Sequence, residues 1–297
     1  MPEQNTKSER ANYSAPVAAR IIFYLFASVI GVAIFQIIGI VISGVPIEQL
    51  GKLDGVNGKA TLILTVWGLI PVLFFTYVFR RNVDKSSFVS LGISIKGRGR
   101  DILTGLIVAV LVFGVGSLFM IKTGNIKLSV GKISSGNLLV YFLTFIFVAI
   151  SEELMVRGYV LNNLLAVANK YLSLFISAVI FALLHSLNAG LTWLAILNLF
   201  LAGVLLGSAY IFTKNLWFAV SLHLFWNFIQ GPLLGYKVSG NTTESYFCAL
   251  PSGKQYLSGG DFGFEGSVIC SVLCLLFTLV IVFYYEQKAR RESQITN

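Results

Sequence analysis

The chain has 297 residues, of which 56% are hydrophobic and only 12% charged, and its formal net charge is +9. So few charges among repeated long apolar stretches exclude a soluble fold and define an all-α, polytopic helical membrane protein. They also exclude a nucleic-acid partner, because the basic residues lie between apolar runs and form no patch interleaved with base-stacking aromatics.

Residues 1–19 are polar, carry Lys7 and Arg10, and read as a disordered tail. Arg20 opens the first apolar run, Ile21 to Ser43, which is too long for a signal-peptide core and is read as a retained span. The second span covers Ala60–Phe79 and stops at Arg80-Arg81. A basic link with Lys85, Lys96, Arg98 and Arg100 leads to the third, Ile102–Ile121. The fourth starts near Leu138, the fifth near Tyr171, the sixth near Gly190 and the seventh at Leu216. The last runs from Ser267 to Tyr285. The expectation is about eight transmembrane helices over residues 20–286, with a catalytic core at 138–230 and a second tail at 287–297. A Gly- and Ser-rich stretch, Gly235–Gly266, forms the one long loop.

Eight spans put both termini on one side. With that side cytoplasmic, Lys7, Arg10, Arg20, the 80–100 cluster, Lys170, Lys214 and the C-terminal basic residues are inside. Lys52, Lys59, Lys122, Lys127, Lys132, Lys237 and Lys254 are outside. The asymmetry favours cytoplasmic termini. Cys248, Cys270 and Cys274 are odd in number and lack CxxC spacing, so neither a disulfide framework nor a zinc knuckle is expected.

Between Asp101 and Glu244 the only acidic residues are Glu152 and Glu153, at the foot of the apolar run Leu138–Ile150. Charge at bilayer depth is expensive and marks function by default. Glu153 and Arg157 are spaced i,i+4 with the acid first, the favourable order for a helical ion pair, so they read as an internal brace. Glu152 points about 100° away and is the freer carboxylate, the candidate general base. The chain's two histidines, His185 and His223, also lie in apolar runs. If a turn near Asn169-Lys170 closes an antiparallel helix pair, His185 stands level with Glu152. His223 and Asn227 share one helix face at i,i+4, and two donors there suit an oxyanion pocket. Asn198 is a further polar group, either lining the cavity or bonding between helices. Counting from Lys214, His223 lies roughly 12 Å deep, which predicts a recessed site open toward the cytoplasm.

Glu152-Glu153-x-x-x-Arg157, Phe181-x-x-x-His185 and His223-x-x-x-Asn227 occur in this order over residues 138–230. Together they resemble the type II CAAX prenyl endopeptidases and bacteriocin-processing proteins, the CPBP intramembrane proteases. Gly259-Gly260-Asp261-Phe262-Gly263-Phe264-Glu265-Gly266 is similar to the stretch before the last helix of many members. The resemblance implies a peptidase in which Glu152 and His185 activate water. It makes His223 and Asn227 stabilise the oxyanion, with Glu153 and Arg157 in support. The family's description as metal-dependent raises a zinc reading, with Glu152, His185 and His223 as ligands and one open position. The lack of HExxH, and the presence of Asn227 and Arg157, favour a metal-free mechanism with no cofactor.

The expected partners are therefore a lipid bilayer and a membrane-associated or lipid-linked peptide or protein substrate. The expected place, from size and resemblance, is a bacterial plasma (inner) membrane. The alternative is a non-peptidase membrane protein, either an immunity factor or scaffold or a proton-coupled transporter using the same acids. No internal repeat is evident, which weighs against the transporter.

Overall fold

The computed structural model describes residues 16–46 and 57–295. Residues 1–15 of the expected tail, with Lys7 and Arg10, and also Lys52, lie outside the described residues. Helix α1 (Val17–Ser43) begins after Pro16 and stops at Gly44, whose left-handed backbone (φ 69°) returns its N–H to the Ile40 carbonyl. This is the usual glycine stop signal at a helix C-terminus. The Asn57 side chain accepts the Ala60 N–H to open α2 (Gly58–Val83), and Ser134 does the same for α4 (Ser135–Leu164) through the Asn137 N–H. Between them runs α3 (Gly99–Lys122).

Asn169 caps α5 (Lys170–Leu184) by accepting from Tyr171 and Leu172, and Thr192 caps α6 (Trp193–Thr213). Then come α7 (Trp217–Phe228), which continues as a π-helical turn over Ile229–Leu233, and α8 (Val268–Ile295). The helical stretch thus starts before residue 20 and carries on past Glu286, through Ile295.

Among the described residues, α1, α2, α3, α4, α6 and α8 are long and apolar enough to cross a membrane, six helices rather than the expected eight. The two that fall short have a physical reason. With 15 residues α5 reaches only about 22 Å, and α7 has 12 before its π turn, against a hydrocarbon core of about 30 Å. The outward faces of α1 (Ile22, Phe23, Phe26, Ile37) and α8 (Val272, Leu279, Phe283) are exposed and apolar, as lipid contact requires. The chain is an all-α integral membrane protein.

Two glycines set the helix spacing around the site. A Cβ on Gly105 of α3 would lie 2.7 Å from the Leu222 nitrogen of α7, and one on Gly203 of α6 would lie 3.0 Å from Ala178 Cα of α5. Small residues allow such backbone approach where water offers no driving force.

One small sheet was not expected: β1 (Ile126–Val130) pairs antiparallel with β2 (Phe247–Pro251), Ile126 opposite Pro251 and Val130 opposite Phe247. It ties the α3–α4 connection to the long segment before α8. At the opposite end of the bundle, buried Asp84 accepts from Arg20, Arg80 (3.3 Å), Asn163 (3.2 Å) and Tyr159 (3.4 Å). Two arginines assigned to cytoplasmic links are therefore buried and paired, holding α1, α2 and α4 together.

Candidate active site

The carboxylates, imidazoles and carboxamide singled out in the sequence meet at the centre of the bundle. Glu152 and Glu153 close the α-helical part of α4, and the next eight residues, Leu154–Leu161, wind as a π-helix. Such a stretch in an α-helix is frequent at functional sites because the wider turn redirects side chains. Glu153 is fully enclosed: its Oε1 accepts from Arg157 Nη1 at 2.9 Å and from His223 Nδ1 at 2.8 Å. Arg157 also donates from Nη2 to the Gly203 carbonyl at 2.8 Å, and its guanidinium lies 4.5 Å from the Phe181 ring centre.

Glu152 turns the other way, into the cavity, and its side chain retains 32% of its surface. Its Oε2 lies 3.5 Å from His185 Nε2 and 3.9 Å from His223 Nε2, and makes no hydrogen bond within the protein. His185 is the residue at which α5 ends, level with Glu152 across the α4–α5 hairpin. Its Nδ1 lies 2.8 Å from the Phe181 carbonyl. A carbonyl can only accept, so Nδ1 carries the proton and Nε2 faces Glu152. Phe181, part of a motif but not counted among the site residues, thus fixes His185 through its backbone. Its ring packs 4.6 Å from the His185 ring and 6.1 Å from that of His223.

A cavity of about 490 Å³ contains Glu152, His185, His223 and Asn227 in its lining. Its floor is made by Met155, Val156, Leu205 and Leu206, and its far end by Gln36, Thr61, Tyr141 and Asn241–Thr243. It therefore opens at the end where α1 stops and α2 and α4 begin, away from both termini. That end is opposite the Lys214 turn, the side from which the sequence places the opening, and the connection between α5 and α6 and the Val238–Thr243 stretch pack around it. Ser186–Thr192 forms an irregular turn there, with Asn188 Nδ2 donating to the Ser239 carbonyl at 3.0 Å.

Asn198 does not line the cavity. It is buried in α6 and donates to the carbonyls of Glu265 and Ser267, both at 2.7 Å, so it takes the interhelical role rather than the cavity one. Glu265, which in the sequence stands only as an acid within a glycine-rich stretch, does line it.

The two Nε2 atoms and Glu152 Oε2 face one another, but among the described residues no three His, Cys, Asp or Glu side chains have the geometry to hold a metal ion.

Residues 134–229 match the family model described as type II CAAX prenyl endopeptidase Rce1-like. No curated protein and no solved structure matches the chain.

Proposed function

We propose that the chain is a CAAX-type intramembrane endopeptidase with Glu152 as general base, a reading supported by the match of residues 134–229 to the type II CAAX prenyl endopeptidase Rce1-like family model. The observation that carries this reading is Glu152 Oε2, unbonded within the protein, facing the Nε2 atoms of both histidines inside the cavity. Water on Glu152 transfers a proton to the carboxylate as its oxygen attacks the scissile carbonyl. His185, oriented by Phe181, holds that water at Nε2.

The tetrahedral oxyanion is met by Asn227 Nδ2 and by His223 Nε2. For His223 to donate there its ring must carry both protons, with Glu153 accepting at Nδ1, and Arg157 fixes Glu153 in that position. Collapse breaks the C–N bond, and the amine leaves with the proton held by Glu152, giving a carboxylic acid and an amine that settle by proton exchange as carboxylate and ammonium. Donors placed in advance in a low-dielectric pocket are the larger part of such catalysis.

The substrate is a membrane-associated or lipid-linked peptide. With cytoplasmic termini in a bacterial plasma membrane, as the basic residues favour, the opening faces the outer leaflet, and the scissile bond enters from there.

The test uses purified protein in liposomes with a peptide library, with and without chelator. Glu152→Gln, His185→Ala and His223→Ala are each expected to lower turnover by about 10²–10⁴-fold. Cleavage unaffected by Glu152→Gln rejects the mechanism. Loss on chelation with recovery on zinc replaces it with the metal-dependent version. A cellular phenotype that survives Glu152→Gln favours the scaffold or immunity alternative.

A further inference from the structure

The geometry points to Glu265 as a positioning residue of the active site, a buried carboxylate that locks the Val238–Thr243 wall of the cavity to the helix carrying His223 and Asn227. Its catalytic consequence rests on the peptidase reading, whereas its structural consequence does not.

Glu265 is 5% exposed. Its Oε1 accepts from Trp226 Nε1 at 3.1 Å. Its Oε2 accepts from Gln230 Nε2 at 3.2 Å, from the Ser239 backbone N–H at 2.7 Å and from the Ser239 hydroxyl at 2.9 Å. An indole N–H and a backbone N–H can only donate, so this position demands an acceptor on both oxygens. Trp226 is the neighbour of Asn227, and Gln230 lies in the π turn that continues α7. Ser239 in turn accepts at its carbonyl from Asn188, three residues beyond His185. The Glu265 backbone carbonyl is held by Asn198. One side chain thus joins the oxyanion helix, the cavity wall and, through Ser239, the turn that follows His185.

None of these contacts reaches the reacting atoms. The role is placement, and a misplacement of about 1 Å at a catalytic group costs on the order of 100-fold in rate. A carboxamide has one acceptor oxygen and an N–H₂ that must confront either Trp226 Nε1 or the Ser239 N–H. Glu265→Gln therefore breaks the junction with little change in volume, while Glu265→Asp keeps the acceptors on a shorter arm.

The experiment compares wild type, Glu265→Gln and Glu265→Asp in liposomes, reading kcat and KM separately together with backbone hydrogen exchange. For Glu265→Gln, kcat is expected to fall about 10- to 100-fold, with KM changed less than about threefold. Exchange should rise over 236–243 and 219–231, stay unchanged over 99–122, and Asp should recover more kcat than Gln. A general loosening that includes 99–122 would mean a merely structural role and overturns the proposal. So does a Gln variant with loosened 236–243 and wild-type kcat, or one with unchanged exchange. If the wild type cleaves no peptide, the peptidase reading fails, and the exchange pattern at 219–231 and 236–243 alone decides whether Glu265 is the lock.

Discussion

Glu152 and Glu153, adjacent in the chain, face opposite surroundings: the Glu152 side chain keeps 32% of its surface in the cavity, and that of Glu153 keeps none, enclosed by Arg157 and His223. The helix turn separates a carboxylate that faces the cavity from one whose Oε1 is engaged by both Arg157 and His223. The same residue type serves two purposes because each position meets a different number of partners.

That division predicts different outcomes for the same substitution. Glu152→Gln is expected to abolish turnover, by about 10²–10⁴-fold, with the melting temperature nearly unchanged. Glu153→Gln leaves Arg157 buried without its charge partner, so it is expected to lose about 3–5 kcal/mol of stability. Thermal unfolding in detergent beside turnover separates the two. A stable, inactive Glu153→Gln with an active Glu152→Gln would mean that the roles are exchanged.

Phe181 offers a second, subtler test. Its ring sits 4.5 Å from the Arg157 guanidinium and its carbonyl orients His185. Phe181→Leu keeps the backbone contact and most of the apolar volume but removes the π face. The expected loss is about 0.5–2 kcal/mol of stability, with His185 still oriented and turnover reduced less than tenfold. Phe181→Ala adds a cavity and should cost about 3–5 kcal/mol. A Leu variant as unstable as the Ala variant would show that the ring's cation contact outweighs its volume.

Much of this site was legible in the sequence because ionisable residues are scarce in so apolar a chain. Glu153 and Arg157 at i,i+4, and His185 and Glu152 at matched distance from the Asn169 turn, follow from helix geometry alone. Other features depend on contacts between distant segments. The pairing of Ile126–Val130 with Phe247–Pro251 joins strands that no local pattern connects. Arg20 and Arg80 look like cytoplasmic anchors until Asp84 is seen between them. The short span of α5 is hidden because its apolar run reads on toward Leu191, while the helix stops at His185. Glu265 gave a weaker signal, a lone acid among glycines, and its four donors come from residues far along the chain.

The Gly105 contact predicts a packing defect felt at the site. An added methyl would press on the Leu222 nitrogen at 2.7 Å and the Phe218 carbonyl oxygen at 2.8 Å, both backbone atoms that cannot rotate aside. Gly105→Ala is expected to cost about 1–3 kcal/mol and to lower turnover by displacing α7. Gly114→Ala on the same helix has open space at its Cβ and should be neutral in both assays. Equal behaviour of the two variants would contradict the account of helix spacing.

The position of the opening predicts sidedness. Thr242 is exposed at the far end of the cavity, and α8 ends on the opposite side of the bundle. In a Cys248→Ser background, Thr242→Cys is expected to react with a membrane-impermeant maleimide in intact cells. A reporter fused after the C-terminus should then be active only in the cytoplasm. Labelling of Thr242→Cys solely in inverted vesicles would turn the protein over, and the substrate would approach from the cytoplasm instead.

Asp84 predicts stability without catalysis. It is fully buried and answers Arg20 and Arg80 together with Asn163 and the Tyr159 hydroxyl, so four side chains from α1, α2 and α4 depend on one carboxylate. Asp84→Ala would remove the buried carboxylate that both arginines bond, a loss of about 3–5 kcal/mol that should appear as a lower melting temperature and poor recovery from membranes. The cluster lies at the end of the bundle opposite the cavity opening and contributes no lining residue. The fraction that folds is therefore expected to keep a wild-type KM, with turnover per folded molecule within about threefold of normal. A folded Asp84→Ala protein with a KM raised tenfold or more would show that the α1–α2 pair shapes the substrate cavity through this cluster as well as anchoring it.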